Sequence, residues 1–155
     1  MSGTPVDAPL AASDLAYELT LAAPPGRVFA ALTEADHLAR WFCDEAEAGH
    51  GVGEPVVMRW HRPGVQPPGV ESYEGRWVEF DPPGACAHEG GNPAYPDGTS
   101  GRVGFVLAAE AGGGTRISIR HQLPARAEYD PFRERYRGAW PRAIARLEAY
   151  LNLEP

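Results

Sequence analysis

Cysteine is scarce: Cys43 and Cys86 are the only two in 155 residues, and neither belongs to a C-x-x-C pair. A disulfide framework and a cysteine-built zinc site are therefore not expected, and both thiols read as small buried groups. Lysine is absent. All 14 basic residues are arginines, spread from Arg27 to Arg146 without a dense cluster, against 21 acidic residues, for a net charge of −7. Such a surface repels a phosphate backbone on average, so nucleic acid is not an expected partner. No run of about 18 apolar residues is present. The N-terminus also shows no basic region followed by an apolar one, so no membrane is expected and the location reads as cytoplasmic.

What the chain has in quantity is turn formers, with 18 glycines and 16 prolines. Its length suits one core. Residues 1–13 are small, proline-containing and aperiodic, and read as a flexible tail; residues 14–153 read as a single domain. From Asp14, Leu15, Tyr17, Leu19 and Leu21 alternate as a half-buried strand. Pro24 and Pro25 end it and open a short helix carrying Val28, Phe29 and Leu32, and Ala35–Phe42 continues as a second short helical piece. Between Gly49 and Gln122 strands and turns repeat. Val56, Met58 and Trp60 share one strand face, Glu71–Phe80 forms the next strand, and Ala85–Glu89 a weaker one. Val103, Phe105 and Leu107 alternate into an AEAGGG turn, with Ile117, Ile119 and His121 alternating on the return.

The end of the chain is helical. Asp130 and Pro131 give an N-cap and first-turn pair, and Phe132, Tyr136, Trp140, Ile144, Leu147 and Leu151 recur at spacings of three and four. Pro141, with Gly138 nearby, predicts a kink within this helix. Strands and helices are segregated along the chain, so the class is α+β. The expected architecture is a helix-grip: a curved antiparallel sheet of about six to seven strands around the long C-terminal helix, with two short helices after the first strand.

Four ordered segments carry a resemblance to a known group. They are APPGRVFAALTEADHLARWF (Ala23 to Phe42), YEGRWVEFDPP (Tyr73 to Pro83), GGGTRISIRH (Gly112 to His121) and WPRAIARLEAYL (Trp140 to Leu151). Together they resemble the START-like or SRPBCC superfamily, the birch-pollen-allergen-like fold, and within it the branch named after the activator of the heat-shock protein 90 ATPase. The resemblance implies a cavity between sheet and helix, commonly for apolar or aromatic ligands, and no fixed chemistry. A homodimer or a chaperone partner is carried as a further expectation, for which the branch name alone is poor evidence. The chain departs from the usual pattern at Trp77, where a smaller aliphatic residue is common, and at Gly138 and Pro141 around Trp140.

Motifs for catalysis are missing. There is no G-x-S-x-G elbow, and none of His37, His50, His61, His88 and His121 sits in an H-E-x-x-H or other ligand spacing, so no metal and no cofactor are expected. The expected role is binding of a small apolar or aromatic molecule. The candidate ligand-binding residues are Trp41, Met58, Trp60, Trp77, Glu79, Phe105, Ile119, His121, Phe132, Tyr136 and Trp140. Trp60 and Trp77 either line the pocket or plug it. His121 or Glu79 is the expected orienting group, with Glu79 placed on the face of Trp77. A cyclase or dehydratase using Glu79 or His121 as acid or base is the enzymatic alternative, and a chaperone-accessory or other protein-interaction module is the third.

Overall fold

A computed structural model of the protein describes residues 14–61, 70–91, 95 and 101–153. The expected tail at residues 1–13 lies outside the described residues. The elements follow in the order β1 (Leu15–Leu21), α1 (Pro25–Thr33), α2 (Ala35–Trp41), β2 (Glu45–Ala48), β3 (Pro55–His61), β4 (Val70–Asp81), β5 (Ala85–Gly91), β6 (Gly101–Ala109), β7 (Thr115–Gln122), a 3-10 turn (Ala127–Tyr129) and α3 (Asp130–Leu153). The seven strands form one antiparallel sheet in the order β1-β7-β6-β5-β4-β3-β2. Consecutive strands β2 to β7 are thus neighbours, and β1 closes on β7 in the register Leu15 to His121 through Leu21 to Thr115.

The sheet grips α3. The Trp140 ring meets Tyr17 of β1, Phe105 of β6 and His121 of β7, at centroid distances of 6.3, 6.3 and 6.0 Å. The C-terminal end of α3 is tied down twice: Arg27 of α1 donates to the Leu151 carbonyl at 2.7 Å, and Tyr150 and His37 share a 2.6 Å hydrogen bond. The two short helices are locked together by Trp41, whose indole N–H donates to the Ala31 carbonyl at 2.8 Å. Thr115, fully buried, donates its hydroxyl to the Ala23 carbonyl at 2.7 Å and anchors the chain where it leaves the sheet for α1.

Local features differ from the sequence expectation in three places. β2 is a strand that periodicity did not indicate, since EAEA carries no large apolar residue; it forms by pairing Glu45 to Arg59 through Ala48 to Val56. The helical region begins earlier than Asp130. That residue already has helical φ and ψ after the 3-10 turn, and its carboxylate pairs with Arg133 at 2.6 Å instead of capping. As expected, α3 is a single helix of 24 residues with Pro141 inside it. Finally, a bulge shifts the register of β4 between Trp77 and Glu79, so that Trp77 stands opposite His88 but Glu79 opposite Ala87.

That bulge overturns the placement of Glu79. Beyond it Phe80, not Glu79, joins Trp77 on the inner face, with ring centroids 5.3 Å apart, and Phe80 also packs edge-on against Phe29 at 5.4 Å. Glu79 turns to the other face of the sheet, 3.6 Å from the Arg102 guanidinium, which also pairs with Glu89 at 3.2 Å.

Candidate functional site

Sheet and helix do not close completely on one another. Between them lies a cavity of about 160 Å³. Its floor comes from the inner faces of the middle strands: Met58 and Trp60 of β3, Tyr73 of β4, His88 and Gly90 of β5, Val103 and Phe105 of β6, and His121 of β7. Alternation explains the set, because residues two apart on a strand share a face. α3 supplies Tyr136, Ala139, Trp140 and Ala143 at spacings of three and four, and Phe42 contributes from the end of α2. Gly90 has no room for a side chain, because a Cβ there would collide with the Glu74 carbonyl across the β4–β5 ladder.

The indoles are fixed. Trp60 donates to the Phe42 carbonyl at 2.6 Å, and Phe42 in turn stacks near Trp140 with centroids 6.1 Å apart. Trp140 donates its indole N–H to His121 Nδ1 at 3.0 Å. An indole nitrogen is a donor only, so His121 Nδ1 must be unprotonated and its proton sits on Nε2. The His121 ring lies 4.7 Å from that of Tyr136, whose hydroxyl bonds the Tyr95 hydroxyl at 2.8 Å. Also on the sheet side, the Tyr73 hydroxyl and His88 Nδ1 are 2.7 Å apart.

Burial sets the charge state of these groups. It depresses His121 to about 4, helped by the Arg133 guanidinium, and His88 to about 3, helped by His121. Both rings are neutral at neutral pH. The same loss of solvent raises Tyr73, Tyr95 and Tyr136 above the usual phenol value, so all three are uncharged. The interior is therefore apolar and aromatic with a few neutral hydrogen-bonding groups, a combination suited to orienting an organic molecule. A volume near 150 Å³ admits a benzene-sized ring.

Of the residues singled out from sequence, Met58, Trp60, Phe105, His121, Tyr136 and Trp140 come together on this cavity. The other five lie elsewhere. Trp41 borders a small adjoining void of about 10 Å³ beside Leu32 and Leu38. Trp77 has no exposed surface and donates its indole N–H to the Gly49 carbonyl at 2.9 Å, so it fills space next to the cavity without forming its wall. Ile119 is a core residue between β1 and β6. Phe132 packs with Tyr95 and Tyr129 in a second apolar cluster. Glu79 is on the far side of the sheet, as described above. Of the two tryptophans in question, Trp60 lines the pocket and Trp77 does not.

Sequence reasoning passed over Tyr73, His88, Tyr95 and Arg135, Arg142 and Arg146. Inward alternation was available as a signal for Tyr73 and His88. Tyr95 lies in a segment without periodicity and carried none. Neither thiol is part of the cavity lining: Cys43 is buried and pushed up to about 12, mainly by loss of solvent, and Cys86 is raised in the same way. Among the described residues, no three His, Cys, Asp or Glu side chains gather as a metal set, and no helix is long and apolar enough to cross a membrane.

Comparisons place this geometry in a known group. A protein from Rhodobacter sphaeroides superposes with a TM-score of 0.79 at 20% identity, covering 96% of this chain and 97% of the other. An HSP90 activator from Plasmodium falciparum gives 0.73 at 18% identity, with 90% and 96% covered. The Aha1 dimer from Colwellia psychrerythraea gives 0.70 at 14% identity, with 87% and 92% covered. At these identities the likeness shows the shared fold, the helix-grip. No curated protein matches the sequence. The sequence pattern described as Activator of Hsp90 ATPase homolog 1-like protein matches residues 22–152, and the chain belongs to that family.

Proposed function

We propose that the protein binds a small aromatic molecule in the cavity between sheet and α3. The supporting observation is an interior space of about 160 Å³ walled by Met58, Trp60, Phe105 and Trp140, in which Tyr73, His88 and His121 supply neutral hydrogen-bonding groups. Apolar burial provides most of the affinity. A single ring of roughly six to ten heavy atoms matches the volume. His121, which keeps its proton on Nε2, offers a donor to a ligand oxygen, in the orienting role expected of it from sequence.

An enzymatic use of the same cavity has less support. A general base works best with a pKa near the working pH, and His88 and His121 are held well below it. A chaperone or self-association role draws on the relatives' descriptions as an HSP90 activator and as a dimer.

Thermal denaturation in the presence of a panel of single-ring aromatics tests the binding reading. A ligand that occupies the folded state alone raises the midpoint with concentration, by an amount set by RT ln(1 + [L]/Kd). Saturable stabilisation by at least one single-ring compound is expected. A panel without any such response would overturn the proposal.

A further inference from the structure

Three arginines form a stripe along the open side of the cavity. Arg135, Arg142 and Arg146 all line it, and all three are exposed. Trp140 and Ala143 line it from the same helix and are buried. The turn of a helix separates the two sets: positions 135, 139, 142 and 146 fall along one edge of α3, and 136, 140 and 143 along the adjoining one. The cavity therefore passes from a neutral aromatic floor to a cationic rim, in a chain whose net charge is −7.

Little on the lining offsets this rim. Glu71 is the only carboxylate among the described lining residues, and it pairs with Arg135. Arg146 is held in position by its Nε–H, which donates to the Trp41 carbonyl at 3.0 Å. Arg142 reaches the cavity from the outer surface of the helix, one turn from Arg146.

The geometry points to an aryl carboxylate as the ligand class, with its ring on the Trp60–Trp140 floor and its carboxylate at Arg142 and Arg146. This rests on the binding reading above and narrows it. A carboxylate loses too much hydration to enter the aromatic interior unpaired, whereas a guanidinium presents a planar fork that fits its two oxygens. The ring and the charge are thus sorted to the two ends of the cavity by the same physical chemistry that built it.

The test compares 3-phenylpropanoate with 3-phenylpropanamide, which share shape and differ in charge, by titration of the intact chain. The acid is expected to bind about tenfold or more tightly than the amide at about 0.02 M salt, with the ratio shrinking at about 0.5 M salt. Arg142→Gln, alone or with Arg146→Gln, is expected to bring the ratio below about threefold. Equal affinity for acid and amide overturns the anion assignment while leaving the cavity reading intact. A preference that persists in the double variant also overturns it. Binding of neither compound overturns the aryl-carboxylate assignment, and the panel of single-ring aromatics then decides the cavity reading separately.

Discussion

The two ends of the interior are built from the same sheet and the same gripping helix, yet they are packed differently. Beneath α1 and α2, Val28, Phe29 and Trp77 are fully or almost fully buried in the core, and Leu32, Leu38, Trp41 and Val56 border a void of only about 10 Å³. Toward the N-terminal half of α3, the cavity of about 160 Å³ is walled by rings that carry polar atoms: Trp60, Tyr73, His88, His121, Tyr136 and Trp140. One end is filled by aliphatic and aromatic carbon. At the other, tyrosines, histidines and indoles satisfy one another around a space. Close packing supplies stability in the first region. In the second, the hydrogen bonds between rings hold open a volume that packing alone would collapse.

Substitutions at the two ends should separate these roles. The largest effect is expected at the packed end. Trp77→Ala removes a ring with no exposed surface that contacts Phe80 and His88 at 5.3 and 5.4 Å, and should lower unfolding free energy by about 3–5 kcal/mol in urea titration. A loss below about 1 kcal/mol would mean that this end repacks freely and that the contrast between the regions is false.

The next effect belongs to the open end and is read through pH. His121 and His88 are depressed to about 4 and about 3, so between those values and the ordinary histidine value near 6.5 the unfolded chain binds protons that the folded chain does not. Stability must then rise with pH across this window and fall as the solution is acidified below about 6.5, by up to about 1.4 kcal/mol per pH unit for each ring. His121→Phe should flatten that slope. An unchanged slope would place the proton uptake elsewhere.

A smaller effect is expected from Tyr73→Phe, which deletes the hydroxyl 2.7 Å from His88 Nδ1. Leaving that buried nitrogen without its partner should cost about 1–3 kcal/mol in unfolding free energy. A neutral result would show that solvent in the cavity replaces the hydroxyl.

The packed end was more legible in the sequence than the open one, for a physical reason. Apolar periodicity is local: Leu15 to Leu21, the Val103–Leu107 and Ile117–His121 hairpin strands and the Trp140–Leu151 stripe each announce their inward face. The helix-grip order of elements followed from those signals and from the four family-like segments. A cavity is defined by what several strands leave unfilled, which no single stretch encodes. Glu79 shows the limit most clearly, since one extra residue at the β4 bulge turned it from the inner face to the outer and put Phe80 in its place. The arginine stripe was hidden for another reason. Arg135, Arg142 and Arg146 are scattered in sequence and adjacent only on the helix surface, at spacings of seven and four.

The central claim is that the open end admits a ring, and fluorescence addresses it directly because Trp60 and Trp140 line the cavity whereas Trp41 and Trp77 do not. Titrating the protein and its Val103→Phe variant with 3-phenylpropanoate compares an open cavity with one filled from β6. A saturable change in the native protein, with affinity reduced about tenfold or more in a variant that still melts within about 4 °C of it, is the predicted result. Saturation of equal affinity in both proteins, or no saturable change in either, would contradict the account.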